Sequence, residues 1–186
     1  MTKHTICAAL LALAACKGKS KTTDTAAPAS PEAAKPAEAA KPAACPAGTT
    51  NPDNLGMCVK LLDGLKPDAN VGHSGTEKAV GWTADGDVRI SIKSGEYDSM
   101  FWDQSIKDLV AGGGFGGKLI DQTKVGDGVT ATFSADSGPM ERKMVITRIH
   151  NDKIYAECWA EKEILSSTGP KLDDVLAVCK NATLAP

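Results

Sequence analysis

Cysteine is the residue type in this chain whose spacing carries chemistry. The 186 residues hold six: Cys7 and Cys16 near the N-terminus, then Cys45, Cys58, Cys158 and Cys179. Residues 1–15 have the build of an export signal, with Lys3 as the positive start and an apolar run of ten at 6–15. Ten helical residues rise only ~15 Å, too short for a bilayer core of about 30 Å. In an exported domain an even set of cysteines implies disulfides, and four cysteines allow three pairings. Position along the chain favours Cys45–Cys58, which would close a loop rich in Pro, Gly and Asn, together with Cys158–Cys179. Periodicity supports the second pair. Leu172, Val175, Leu176 and Cys179 recur as i, i+3, i+4, i+7 on the apolar face of a C-terminal helix, while Ile154, Ala156 and Cys158 alternate onto one strand face. A helix packed on that face would bring the thiols together, and each bridge is worth roughly 3 kcal/mol. Zinc is the rival chemistry, but gaps of 13, 100 and 21 residues and the absence of CxxC fit no zinc module. No metal and no cofactor are expected.

Other residue patterns could also carry chemistry. Gly112, Gly114 and Gly117 satisfy GxGxxG, and Gly112, Gly117 and Lys118 satisfy GxxxxGK. Both motifs need a strand before and a helix after, so that phosphate meets the helix N-terminus. Here the pattern is helix before and strand after, and Leu119 stands where Ser or Thr would hold magnesium. The loop reads as a helix-to-strand connection whose glycines form a mobile lip over a groove. Beyond the export signal the histidines are His73, in a loop, and His150, at a strand end beside a turn. No GxSxG elbow accompanies them, so they read as solvated or locally hydrogen-bonded. Glu157, Glu161 and Glu163 alternate away from the core face of their strand and read as a solvated face. Tyr155 and Trp159 share that outward face, a candidate binding surface if no helix covers it and core if one does.

The apolar run ends in Leu13-Ala14-Ala15-Cys16, a tetrapeptide that resembles the lipobox of bacterial lipoproteins. The resemblance implies cleavage before Cys16, diacylation of its sulfur and acylation of the new amine, enough acyl chain for stable membrane attachment. Lys17 stands where an inner-membrane retention signal would place Asp, which favours the outer membrane. Residues 16–44 then lack aromatics, Leu, Ile and Val and repeat Glu-Ala-Ala-Lys-Pro at 32–36 and 38–42. Such a composition buries too little apolar surface to offset chain entropy. It reads as a disordered tether, reaching ~85 Å if fully extended at about 3.1 Å per residue.

Residues 45–186 form the globular part, with 15 Lys and Arg against 20 Asp and Glu, a formal charge of −5. That balance argues against nucleic acid and against lying flat on an anionic membrane. Strands are expected at 57–62, 78–83, 87–93, 118–125, 129–135, 140–150 and 153–161. A helix capped by Asp98 or Ser99 runs to about Val110 with the stripe Trp102, Ile106, Leu109, Val110, and a second begins near Pro170. Short connections make neighbours antiparallel. The expected class is α+β, one antiparallel sheet of six to seven strands packed by two main helices and stapled by disulfides. This order, opening on Val59-Lys-Leu-Leu-Asp-Gly-Leu-Lys-Pro67 and closing on a final helix, resembles the PsbP-like and DcrB-like group of small exported domains. The resemblance implies a sheet covered on both sides, which would make Tyr155 and Trp159 core, and an accessory role without catalysis. The expected function is a lipid-anchored cell-envelope protein with a non-catalytic binding domain for an envelope partner. The alternative is a small-ligand-binding lipoprotein whose groove lies near the loop 112–117.

Overall fold

The computed structural model describes residues 44–186 except 73–74, 113–116 and 138–139. Cys16, the export signal, the tether, His73 and the middle of the loop 112–117 lie outside the described residues.

A 3-10 turn at Pro52–Asn54 leads into β1 (Met57–Cys58), followed by β2 (Lys66–Pro67), β3 (Lys78–Ala84) and β4 (Val88–Glu96). Helix α1 (Ser99–Val110) carries the chain to β5 (Lys118–Val125), β6 (Gly128–Ser137), β7 (Met140–His150) and β8 (Ile154–Glu163). Helix α2 (Leu172–Lys180) and β9 (Thr183–Leu184) close it. The described residues form an antiparallel seven-stranded sheet in the order β2-β3-β4-β8-β7-β6-β5, and β1 pairs separately with β9. The class is therefore the α+β arrangement expected from the pattern. Helix α1 skips the chain from β4 to the far edge, and the meander β5 to β8 returns, so that β8 lands beside β4.

Local chemistry accounts for the elements. Asp98 caps α1, its Oδ1 accepting from the Met100 amide at 2.8 Å, and the helix stops at Ala111 before Gly112, whose φ is +73°. The segment 57–62 differs from the expected single strand. Only Met57–Cys58 pairs as a strand, with Val59 bridging Thr50, because Leu61, Leu62 and Leu65 pack on the core instead of extending a ladder. The pairs β2 and β9 are two residues each, too short to show a period. Between β3 and β4 the tip is built on Gly86 at φ +81°, and it docks on the loop before α2, where a Cβ on Gly169 would lie 1.8 Å from the Asp85 carbonyl. Buried Lys162 ties the two loops, its Nζ donating to Thr168 O at 2.8 Å and Gly86 O at 3.3 Å.

Apolar clusters pack on both faces of the sheet. On one, α2 sets Val175, Leu176 and Cys179 against Ile90, Ile92, Val145, Ala156, Cys158 and Ala160. On the other, Leu109 of α1 meets Ala131, Phe133, Met144 and Ile146. Both disulfides take the favoured pairing: Cys45–Cys58 with Cα atoms 5.6 Å apart and Cys158–Cys179 at 5.4 Å. The second fastens α2 to β8, the middle strand of the sheet.

A buried hydroxyl chain secures the same helix. Thr147, fully buried, donates to the Cys179 carbonyl at 2.8 Å, so Thr130, also 2.8 Å away, must donate to Thr147. Replacing Thr147 by Val removes that link, leaving the Cys179 carbonyl to the Ala182 amide alone and taking the acceptor from the buried Thr130 hydroxyl, which is expected to cost about 1–3 kcal/mol. In urea the midpoint should fall with an unchanged slope, and Thr147→Ser should lose less. An unmoved midpoint for the Val variant would show that the hydroxyl chain contributes nothing.

Candidate functional site

On the α1 side of the sheet the register of β4, β8 and β7 aligns side chains in rows. Lys93, Glu157 and Arg148 form one row, Ser91, Trp159 and Ile146 the next, and Arg89, Glu161 and Met144 the third. Glu157 and Glu161 are not solvated as their alternation suggested, while Glu163 at the strand end is part-exposed. The Glu157 side chain is 6% exposed and that of Glu161 11%. Glu157 Oε2 accepts from Arg148 Nε, and its Oε1 lies 3.4 Å from Lys93 Nζ. Glu161 sits 3.3 Å from Arg142 Nη1 and 3.8 Å from Arg89 Nε, and Arg142 also pairs with Asp87. Alternation identified the face correctly, but α1 and the cross-strand cations close over it.

Arg148 has a second task. Its Nη1 donates to the Ser105 carbonyl at 2.7 Å, so the cation that neutralises β8 also holds the middle of α1 over the sheet. Three rings gather where α1 begins. Tyr97 stacks on His150 with centroids 4.0 Å apart and planes 1° from parallel, and Trp102 meets both edge-on at 5.8 and 4.5 Å. His150 Nδ1 lies 3.2 Å from the Asn151 carbonyl, the local hydrogen bond expected of it.

Tyr155 and Trp159 share a strand face but occupy different surroundings. Trp159 is half-buried against the apolar cluster under α1. Tyr155 lies along Gly95, where a Cβ would come within 2.7 Å of its ring, and its hydroxyl donates to the Glu77 carboxylate. Burial, then the hydrogen bond to Glu77 and its charge, hold the phenol well above its usual pKa.

Tyr155 is also part of a cavity of about 350 Å³ between α1 and the sheet. Lys93, Arg148, Tyr155 and Glu157 line it from the strands, Phe101, Trp102 and Ser105 from the helix, and Glu77, Glu96 and Asp98 complete it. Phe101 is 67% exposed, as is the neighbouring Met100 at 79%, an apolar pair standing out on the first turn of α1. Gly112 and Gly117, the described ends of the glycine loop, are not among the lining residues. Among the described residues no group of three His, Cys, Asp or Glu is placed to hold a metal ion. Sequence reasoning found Asp98 as a cap and Trp102 as a core stripe. It missed Glu77, Tyr97 and Phe101, because only the pairing of β4 with β8 and β7 brings them together. A tyrosine immediately before a helix cap, with Phe and Trp in the first turn, was the available signal.

No family model and no curated protein matches the chain. Among solved structures it is similar to a protein from Bacteroides thetaiotaomicron, with a TM-score of 0.39 and 9% identity over 70% of this chain and 46% of that one. It is also similar to LpqN of Mycobacterium tuberculosis, described as involved in cell envelope biogenesis, with a TM-score of 0.32 and 12% identity over 70% of this chain and 83% of that one. The chain thus spans less than half the length of the Bacteroides protein. Neither likeness bears on the site.

Two measurements check this geometry. Arg148→Met strands buried Glu157 with only half-exposed Lys93, and is expected to destabilise the domain on the order of 3 kcal/mol. Arg89→Met, at a side chain 60% exposed, should cost under about 1 kcal/mol. Equal midpoints for the two variants would remove Arg148 from its central place. The raised phenol pKa gives a second test. It contributes stability that is complete below the ordinary phenol pKa of about 10 and is lost as pH rises from there toward the folded value. Tyr155→Phe should flatten that alkaline loss, and absorbance at 295 nm should show one of the chain's two tyrosines ionising late in the wild type only.

Proposed function

We propose that this chain is a non-catalytic binding domain carried at a bacterial cell envelope on a lipid anchor at Cys16, and that it engages an envelope partner at the α1–β8 cavity. The observation that carries the reading is the cavity itself: aromatic walls from Phe101, Trp102 and Tyr155 beside a charge network in which Arg148 joins Glu157 of β8 to the Ser105 carbonyl of α1. Aromatic side chains in a rigid, partly desolvated hollow supply large contact area at low entropic cost, the usual build of a binding hot spot. Two of the ionisable groups on β8 beside them are occupied structurally. Glu157 neutralises Arg148 and Lys93, and the Tyr155 phenol is held protonated by burial and Glu77. That occupation supports binding over proton transfer. The anchor rests on the lipobox resemblance of Leu13-Ala14-Ala15-Cys16, the outer membrane on Lys17, and the reach needed for a partner on the tether 17–44.

Two experiments in cells test the proposal. Cys16→Ser should move the protein out of the membrane fraction, and continued membrane association would remove the lipid anchor. A photo-crosslinking benzophenone placed at Phe101 should give one reproducible protein adduct, whereas the same group at exposed Leu165, outside the cavity lining, should not. Identical patterns at the two positions, or no adduct at Phe101, would overturn the cavity as the partner site.

A further inference from the structure

We propose that the α1–β8 cavity is a site for an alkylammonium group, a primary ammonium carried on an apolar stem. The inference rests on the cavity being the binding site and names the chemistry of what enters it.

The argument is one of uncommitted charge. The cations lining the cavity are Lys93 and Arg148, and both pair with Glu157, with Arg148 further engaged by the Ser105 carbonyl. Among the described residues no Lys or Arg forms an ion pair with Glu77, Glu96 or Asp98, which also line the cavity. Glu77 accepts one bond from the Tyr155 hydroxyl and Asp98 one from the Met100 amide. A carboxylate offers about four lone-pair sites, so acceptor capacity remains on each. An anionic ligand would meet three carboxylates without a cation of their own, Glu77 part-buried and Glu96 and Asp98 exposed at the cavity's edge. A purely apolar ligand would strip water from them without replacing its hydrogen bonds. An ammonium head satisfies them.

The aromatic lining is a second, independent observation that agrees. Phe101, Trp102 and Tyr155 line the cavity, supplying apolar surface for a stem and rings of the kind that attract a cation. The volume agrees as well, since about 350 Å³ lies at the small end of ligand pockets, which run from about 300 to 1,000 Å³. A four-carbon stem with a compact ammonium, the shape of a lysine side chain, is of that scale. The group therefore arrives either as a free amine or as a lysine of a partner protein, and the test separates the two.

The probes are n-butylammonium chloride, 1-butanol, sodium butyrate and the capped peptide Ala-Leu-Lys-Leu-Ala. Each is titrated into the full chain carrying Cys16→Ser, with backbone amide shifts of residues 96–105 and 153–157 followed by NMR. Butylammonium should shift these amides saturably and at least tenfold more tightly than butanol, with butyrate silent. The double variant Glu96→Gln, Asp98→Asn should weaken butylammonium about tenfold. Asn caps a helix as well as Asp, so α1 should persist by circular dichroism. If the double variant does not fold, Glu96→Gln alone, at an exposed strand end, carries the test with a several-fold loss. Tighter binding of the peptide assigns the source to a partner lysine, and tighter binding of butylammonium assigns it to a free amine. Butanol or butyrate binding as well as butylammonium, or affinity untouched by the variants, overturns the proposal. A Phe101 adduct in cells together with no butylammonium binding removes the ammonium specificity alone. Loss of both removes the cavity as a site.

Discussion

The structure turns on the burial of two carboxylates in the middle of a sheet. Strand β8 is flanked by β4 and β7 and covered on both faces, yet it carries Glu157 and Glu161 on the α1 side. A buried carboxylate without a partner costs several kcal/mol. Here the partners arrive from both neighbours, Lys93 and Arg89 from β4 and Arg148 and Arg142 from β7. Such pairs add little net stability over an apolar replacement, but they specify register. A slip of one residue in β8 would turn both carboxylates toward Val175 and Leu176 of α2. The same arginine that closes the Glu157 pair reaches the Ser105 carbonyl, so the register of the sheet also sets where α1 lies and hence where the cavity opens.

The two faces divide their tasks. On the α2 side the packing is apolar and cross-linked, with Cys158–Cys179 and the hydroxyl chain through Thr147 fastening helix to strand. On the α1 side the helix is held at its C-terminal half by Leu109 in the apolar cluster and at its middle by Arg148, while its first turn leaves Met100 and Phe101 in solvent. The packed and ion-paired parts of the scaffold thus hold the hollow between α1 and the sheet, with exposed Phe101 in its lining, and a preformed hollow lowers the entropic cost of binding.

Much of the fold was legible because its signals are local. Alternation along β8, the cap at Asp98 and the apolar period of α2 each depend on a few neighbouring residues, and all appear where the pattern places them. The disulfides were legible for the same reason: Cys158 and Cys179 each declared the face they occupy. Legibility failed at the α1 face. The alternation of Glu157 and Glu161 shows that they oppose Cys158, but not that Arg148 and Arg142 come to meet them. Tyr155 and Trp159 share that alternation, yet one lines the cavity and the other packs toward the core under α1.

From its sequence alone this protein has its α+β class, its favoured cysteine pairing, the start of α1 and the sidedness of β8, because periods of 2 and 3.6 residues and the chemistry of Asp and Cys act over a few residues. Only the tertiary structure decided that β8 sits between β4 and β7, that its carboxylates are buried and neutralised, and that Tyr97, Trp102 and His150 meet beside a hollow. Those outcomes depend on the crossover through α1 and on strand pairs more than 50 residues apart, such as β4 with β8. No local period encodes which strand a long connection returns to, so the site could be seen only once the sheet was assembled.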